Sequence, residues 1–306
     1  MGARPSLFRR VRVLIVGCGD VGQRALPALV GRVRVLALTS SPARIVDLRA
    51  LGVTPLLGNL DQPRTLSRLG GLAHRVIHLA PPPTTSDRVL LQGRDQRTTA
   101  LLQVLRKRTV PSVLVYGSTS GVYGDCGGEL ASEIRAVNAT TVRASKRVDA
   151  ENLLRHFGRA TLQRVSILRI PGIYAPNRAD GMPLGRLRQQ TPVLDASDDV
   201  YTNHIHADDL ARACVAALWR GKPQRVININ DDTRLLMGDY FDVAADMYGL
   251  ERPPRVSRKK AAEELSPLRL SFMSESRRMD NTRMKRELRL SLRYPTVHAG
   301  LLPGSV

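Results

Sequence analysis

The stretch Val11-Arg12-Val13-Leu14-Ile15-Val16-Gly17-Cys18-Gly19-Asp20-Val21-Gly22 decides how the rest of this 306-residue chain is read. Its first half is a short run of mostly apolar and β-branched residues, which predicts a buried strand. Gly17-x-Gly19-x-x-Gly22 follows directly, and Val21, Ala25, Leu26, Leu29 and Val30 then recur at helical spacing. In a strand–turn–helix setting the three glycines have separate tasks. Gly17 permits the tight turn, Gly19 lets the backbone approach a pyrophosphate, and Gly22 lets the helix pack close to the strand. Backbone N–H groups of the loop, including those of Asp20 and Val21, then face the phosphates, so the stretch predicts dinucleotide binding.

Outward from that turn, β-rich runs alternate with helical patterns. Val33–Leu38 precedes a helical spacing through Ile45, Leu48 and Leu51, and Val53–Leu57 precedes a short one around Leu66–Leu69. Arg75–Ala80 leads to a helix expected over Ser86–Arg108, and Ser112–Tyr116 to one over Thr140–Phe157, followed by Arg164–Ile170. Alternation of this kind implies parallel strands joined by crossovers. The expected fold class is therefore α/β: a Rossmann-type doubly wound parallel sheet with a smaller C-terminal substrate lobe. Pro27 falls inside the first predicted helix, where it removes a backbone donor, and a kink or 3₁₀ turn is expected there. Past Ile170 come Pro, Gly and Asn clusters, then helices at Ala207–Trp219 and Met237–Tyr248, with a strand at Arg225–Asn228 between them. The expected division is a dinucleotide-binding domain over 1–170, rejoined by 207–229, and a smaller lobe made of 171–206 and 230–306.

An acid at the end of the second strand would bind the adenosine ribose hydroxyls of NAD. Here the chain reads Leu38-Thr39-Ser40-Ser41-Pro42-Ala43-Arg44, with no carboxylate before Asp47. Ser40, Ser41 and Arg44 suit a 2′-phosphate, so of the two cofactors, NADP or NAD, NADP is favoured. Arg44 also has a plainer reading, as a solvated helix residue.

Composition narrows the partners. Apolar residues are 42% of the chain, and no apolar run approaches the ~18 residues of a membrane span, so a soluble chain without a membrane partner is expected. Lys and Arg number 47 against 27 acids, a net charge of +20, and only six of the 47 are Lys. The most basic segments are Arg106-Lys107-Arg108 and the tail from Arg252 to Arg293. Glu263, Glu264, Glu275, Asp280 and Glu287 interrupt that tail, and aromatics are 4% of the chain. Stacking platforms are thus scarce and no specific nucleic acid is expected. Arg186 and Arg188 are instead candidates for gripping an anionic substrate. Cys18, Cys126 and Cys214 are too few and too scattered for a disulfide framework or a Cys-x-x-Cys metal site, which suits the cytoplasm. Arg9, Arg10 and Arg12 precede an apolar stretch that ends at Val16, too short for a secretion signal. Gly2 with Ser6 fits an acylation pattern that chance often supplies. His204, His206, Asp208 and Asp209 read as loop histidines before a helix capped by Asp208 or a neighbour, and no metal site is expected. Gly117-Ser118-Thr119-Ser120-Gly121 has threonine where a hydrolase elbow needs serine.

Taken together, several segments resemble the short-chain dehydrogenase/reductases in their extended or atypical NAD-dependent epimerase/dehydratase branch. They are the glycine loop, Gly58-Asn59-Leu60, His78-Leu79-Ala80-Pro81, Tyr116–Gly124, Leu168–Pro176 and His204–Ala211. The resemblance implies that Asn59 and Leu60 lie near the adenine and that Leu79, Ala80 and Pro81 run along the cofactor ribose and pyrophosphate. Pro171 to Ile173 would lie against the nicotinamide, and Thr119 would hydrogen-bond the reacting substrate oxygen. Lys146 matches the lysine of the family's Tyr-x-x-x-Lys motif and would hold the nicotinamide ribose. A homodimer through the helices around Ser86–Arg108 and Thr140–Phe157 is also implied.

The departure is at the tyrosine. Four residues before Lys146 stands Val142, which can neither donate nor accept a proton, so the usual general acid/base is missing. Tyr123, Tyr174 and His204 are candidates to replace it, and Tyr123, Arg186 and His204 are candidates for substrate binding. The expected function is an NAD(P)-binding oxidoreductase, epimerase or dehydratase. Its substrate would be small and polar or nucleotide-sugar-like, reacting by hydride exchange at the nicotinamide. The alternatives are a catalytically silent NAD(P)-binding sensor or scaffold and, more remotely, a basic nucleic-acid binder.

Overall fold

In the computed structural model the described residues are 10–83, 93–178 and 181–302. The first nine residues, with Gly2, Ser6 and Arg9, and the Ser86 end of the long predicted helix lie outside them. Seven parallel strands form one sheet. In spatial order they are Arg225–Asn228, Arg164–Ile170, β5 (Val113–Thr119), β4 (Arg75–His78), β1 (Arg12–Val16), β2 (Arg34–Thr39) and β3 (Thr54–Leu57). Alternate residues of β1 feed opposite layers. Val13 and Ile15 enter a core with Leu29, Leu48, Leu210 and Cys214, while Leu14 and Val16 enter another with Leu101, Leu154 and Phe157. A strand covered on both faces needs apolar residues at every position, and this is why Val13–Val16 reads as an unbroken run.

The helices on these faces are short at the start and long later. Pro27 divides the first: α1 (Asp20–Arg24) ends at Ala25, and α2 (Leu26–Leu29) places the proline in its own first turn, where the lost N–H has no intrahelical acceptor. α3 (Arg44–Ala50), α4 (Gln96–Leu105) and α5 (Val142–Thr161) follow, then α6 (Leu184–Arg188) and α7 (Ala207–Arg220). The Leu66–Leu69 region is a 3₁₀ helix, Pro63–Leu69.

A third core gathers Leu187, Val193, Leu194, Phe241, Ala244, Val256 and Leu265 around α8 (Met237–Tyr248). Two-residue ladders brace this part: Tyr201–Thr202 with Leu235–Leu236, and Val193–Leu194 with Arg255–Val256. The charged tail divides between the layers. Its Thr282–Glu287 helix lies along the Arg225–Asn228 strand, and Met284, Leu288 and Leu290 enter the sheet's own core. All three cysteines are free and buried. No helix among the described residues is long and apolar enough to cross a membrane.

Candidate active site

β1 has β2 on one side and β4 on the other, so the strand order reverses at β1. The carboxyl ends of strands at such a reversal leave a crevice. Here it measures about 360 Å³ and is lined by the glycine loop, Leu79, Pro81, Thr119, Pro171 and Ile173.

Each glycine of the loop has a distinct environment. Gly17 has φ of 87°, and a Cβ there would stand 2.4 Å from the Ala80 nitrogen, so loop and β4 end meet only because it is glycine. The Leu79 and Ala80 amides hold that junction by donating to the Val16 carbonyl at 2.8 and 3.1 Å. At Gly22 a Cβ would meet the Gly17 carbonyl oxygen at 3.2 Å and Ile15 Cγ2 at 3.4 Å, so helix and strand pack without room to spare. A Cβ on Gly19 would meet nothing within 4 Å. The space it would enter is the crevice itself, and a loop so cleared, with the unbonded amides of a first helical turn beside it, fits a pyrophosphate.

Charges around the loop are paired. Asp20 bonds Arg24 at 2.9 Å and Arg178 at 3.2 Å, and Arg24 continues to Asp208 at 2.5 Å, tying the loop to the start of α7. Arg44 leaves α3 and donates through Nη2 to the Cys18 carbonyl at 2.7 Å. It therefore bridges the end of β2 to the glycine loop, and Ser40 lies exposed nearby in sequence. Asn59 closes a turn by accepting the Asp61 amide at 3.0 Å, and Leu60 is buried. Arg97 joins that turn to the β4 end by holding Asp61 at 2.6 and 2.7 Å and donating to the Pro81 carbonyl at 3.0 Å.

Thr119, at the end of β5, lines both the crevice and a second cavity of about 330 Å³. A buried cluster fixes its position. The Ser118 hydroxyl donates to Glu151 Oε1 at 2.7 Å, and Arg169 donates to the same carboxylate at 3.1 and 2.8 Å. Burial alone would lower the Arg169 pKa, but bonding to Glu151 outweighs it and the guanidinium is held above its ordinary value.

Tyr123 belongs to this packed interior, not to the cavity. It is 1% exposed, lies under the Arg169 guanidinium, and gives its hydroxyl proton to Asn228 Oδ1 at 2.7 Å. Burial raises its phenol pKa. Tyr174 is equally enclosed, donating to the Thr296 carbonyl at 3.2 Å, with its pKa pushed far up by burial and by Asp231.

The register of α5 differs from the one the lysine motif implies. Lys146 is 3% exposed and donates to the Pro83 carbonyl at 2.8 Å, supporting the segment after β4 from below. Arg147 is the side chain that lines both the crevice and the Thr119 cavity, and it donates to the Tyr116 hydroxyl at 3.0 Å and the Gly117 carbonyl at 2.6 Å. Val142 is 49% exposed at the first position of the helix, whereas Thr141, Arg143 and Ala144 line the cavity. No signal in the sequence separates the two basic neighbours Lys146 and Arg147. Tyr201, Arg277 and Glu275 also line the cavity and carried no motif.

A third cavity, about 490 Å³, lies beyond Pro171 and Gly172 and brings together Arg178, Arg186, Arg269 and His204. The Arg186 guanidinium lies 4.2 Å over the Phe241 ring, and its Nε and Nη2 have no hydrogen-bond partner among the described residues. Burial, with Arg269 nearby, lowers its pKa to about 10. Arg188 is exposed on α6. His204 stacks on Tyr240 at 4.1 Å, and burial pushes its pKa down to about 3. The helix that follows is capped by His206, whose Nδ1 accepts the Asp208 amide at 3.2 Å, while Asp209 is buried and takes the backbone amides of Arg293 and Tyr294.

Comparison with known proteins agrees with this geometry. The family model described as the NAD dependent epimerase/dehydratase family matches residues 13–230. A functionally unknown conserved protein from Silicibacter pomeroyi is 28% identical, with 95% of this chain and 96% of that one covered and a TM-score of 0.71. A UDP-glucose 4-epimerase from Thermotoga maritima, solved with UDP-glucose, is 18% identical with a TM-score of 0.76, covering 95% of this chain and 96% of that one. A UDP-glucuronic acid 4-epimerase from Bacillus cereus, solved with NAD, is 19% identical with a TM-score of 0.74 over the same shares. No curated protein matches the chain significantly. With the family model spanning the glycine loop, the Thr119 strand and the Arg225–Asn228 strand, this chain belongs to the NAD dependent epimerase/dehydratase family.

Proposed function

We propose that the chain binds a nicotinamide dinucleotide in the glycine-loop crevice, NADP in preference to NAD, and acts on a small polar or nucleotide-sugar-like substrate in the adjoining cavities. The observation that carries this reading is that Thr119 stands in the wall of both the crevice and the 330 Å³ cavity. A group in that position reaches cofactor and substrate at once. The solved structures of like fold that hold NAD or a UDP-sugar support the same assignment of ligand classes.

A nicotinamide cofactor, when bound, supplies hydride exchange with a substrate carbon. The chain's own part is positional. Gly17, Gly19, Asp20, Val21 and Gly22 would shape the pyrophosphate loop, and Leu79, Ala80 and Pro81 the ribose side. Pro171 and Ile173 would close the nicotinamide end. Thr119 would hold the substrate oxygen through its hydroxyl, and Arg186 with His204 would line the binding site for the far end of the substrate. The Arg44 guanidinium, fixed at the Cys18 carbonyl, supports NADP because a 2′-phosphate at the end of β2 would meet a charge already oriented by the loop. Lys146 in this reading keeps the 81–83 segment in place through the Pro83 carbonyl.

The test is titration of NADPH and NADH by their fluorescence. NADPH is expected to bind about tenfold or more tightly than NADH, and Arg44→Ala to remove most of that difference. Affinity for neither dinucleotide would overturn the reading, and equal affinities would remove its NADP part. With cofactor bound, sugar nucleotides and carbonyl compounds are then screened by nicotinamide absorbance and by product analysis. Silence in both assays favours the sensor.

A further inference from the structure

Arg12, Arg34, Arg75, Arg164 and Arg225 are each the first residue of a strand of the central sheet. Because the strands are parallel, all of them begin on one edge, at the opposite end from the glycine-loop crevice. The helices return antiparallel to the strands, so α4, α5 and α7 end at the same edge and bring further cations. Arg106, Lys107 and Arg108 follow α4, and Arg220 and Lys222 stand at the end of α7. Arg108 packs against the Gly70-Gly71 turn that leads towards β4. Among the described residues, the ion pairs of these ten side chains are those of Glu287 with Arg225 at 2.9 Å and with Lys222 at 3.8 Å. Arg34, Arg106, Lys107 and Arg108 are exposed, while Arg75, Arg164 and Arg220 donate to the neutral carbonyls of Leu218, Gly221 and Leu288. The three helix ends carry about half a negative charge each, too little to balance the edge. His74, just before β4, feels the excess: its pKa is lowered by burial and then by the charges of Arg12 and Arg75.

We infer that this edge binds double-helical nucleic acid through its phosphate backbone, without reading bases. The inference is independent of the proposed function, because the cofactor crevice lies at the other end of the strands. Shape argues for it as well as charge. From the Arg225 strand to β2 the sheet has five interstrand steps, ~24 Å at the usual strand spacing and about the rise of seven base pairs. A band of that length meets successive phosphates of a stiff, evenly charged rod, whereas a single phosphate group would answer only a small part of it. Most of the cations are guanidinium groups, whose planar forks match phosphate oxygens in pairs. Single strands are held by stacking bases on aromatic rings, and the exposed aromatic at this edge, Trp219, already has the Arg75 guanidinium 3.9 Å over its ring. An anionic bilayer would need an apolar cluster beside the cations. The exposed apolar side chains here, Leu51, Leu162 and Trp219, stand singly at the ends of three different helices.

The experiment is fluorescence polarisation of a labelled, random-sequence DNA duplex titrated with the full chain. Binding is expected at about 50 mM salt and is expected to fall steeply by about 200 mM. Changing Arg34, Arg106, Lys107 and Arg108 together to Gln is expected to weaken binding by about tenfold or more at the lower salt. The slope of log affinity against log salt is expected to become shallower by about three in the same variant. Arg188→Gln with Lys259→Gln, which removes exposed cations away from this edge, is expected to keep both affinity and slope. Arg34→Lys, Arg106→Lys and Arg108→Lys together keep the charge and are expected to retain most of the affinity, which separates lost charge from a folding defect. Absence of binding at about 50 mM salt, or an unchanged slope in the four-site Gln variant, would overturn the inference. So would an equal loss in the Arg188 and Lys259 variant. Tighter binding to a single strand of the same length, or to phosphatidylserine vesicles at equal phosphate, would overturn it in favour of that partner.

Discussion

Gly17 and Gly19 separate fold from function within one loop. A side chain at Gly17 would collide with the Ala80 backbone and sit at φ of 87°, so substitution there strains the junction of β1 and β4. A side chain at Gly19 would meet no atom within 4 Å, and its φ of −81° is open to any residue. Gly19→Val is therefore expected to leave the melting temperature nearly unchanged while weakening dinucleotide binding by tenfold or more, on the order of 1.4 kcal/mol or above. Gly17→Ala is expected to lower the melting temperature. Thermal melts and cofactor titration on the two variants check both statements. If Gly19→Val bound cofactor normally, the crevice would not be the pyrophosphate site.

At the level of elements, the β-strands bury histidines that cannot take up a proton in place. His78 ends β4 and His204 begins the short strand before α7, and burial pushes both imidazoles from 6.5 down to about 3. The unfolded chain then binds more protons than the folded one at any pH between those values. Stability is complete above about 6.5 and falls as pH descends through the window. Each imidazole contributes a loss of roughly 2 kcal/mol between pH 6.5 and pH 5. Urea unfolding at about pH 7.5 and about pH 5 is expected to show this loss, and His204→Phe, which keeps a ring against Tyr240, to reduce it. A variant with the full wild-type pH dependence would show that His204 is not responsible. The motif segments meet at this scale as well. The Thr119 strand, α5 and the Arg164–Ile170 strand are joined by Glu151, Ser118 and Arg169, and breaking such a buried pair costs about 3–5 kcal/mol.

For the molecule as a whole, part of the arginine excess behind the net charge of +20 has a structural role inside the chain. Many arginines end on backbone carbonyls of distant segments. Arg220 reaches Leu288, Arg283 reaches Val226, Arg258 reaches Met273, Arg277 reaches Gly124 and Arg278 reaches Gly128, all between 2.7 and 2.9 Å. A guanidinium offers five donors, so it ties loops that have no ladder of their own. Asp209 is the acidic counterpart. It has no exposed surface, accepts both the Arg293 and Tyr294 amides, and pairs with Arg212 at 2.6 Å. Asp209→Ala leaves those groups unanswered and is expected to cost about 3 kcal/mol or more. It should also speed hydrogen exchange and proteolysis in the segment after Arg289. Unchanged exchange there would show that the clamp does not hold the tail.

The sequence by itself determined the sheet and the crevice. Strands buried on both faces must be apolar throughout, a turn that admits a phosphate must be glycine, and both demands leave their mark on consecutive residues. The place of Arg44 just after the second strand was legible too, but its bond to the Cys18 carbonyl was not. The α5 register was not: Lys146 and Arg147 are both basic neighbours, and only helix packing decides which enters the cavity and which lies under Pro83. Tyr123 was equally ambiguous, because a phenol on a motif segment reads alike whether it faces a substrate or Asn228. Arg277, Glu275 and Tyr201 share a cavity wall with Thr119 from segments at least 80 residues away in the chain. Contacts of that range leave no local pattern, so the tertiary structure alone decided which side chains of α5 share a cavity with Thr119.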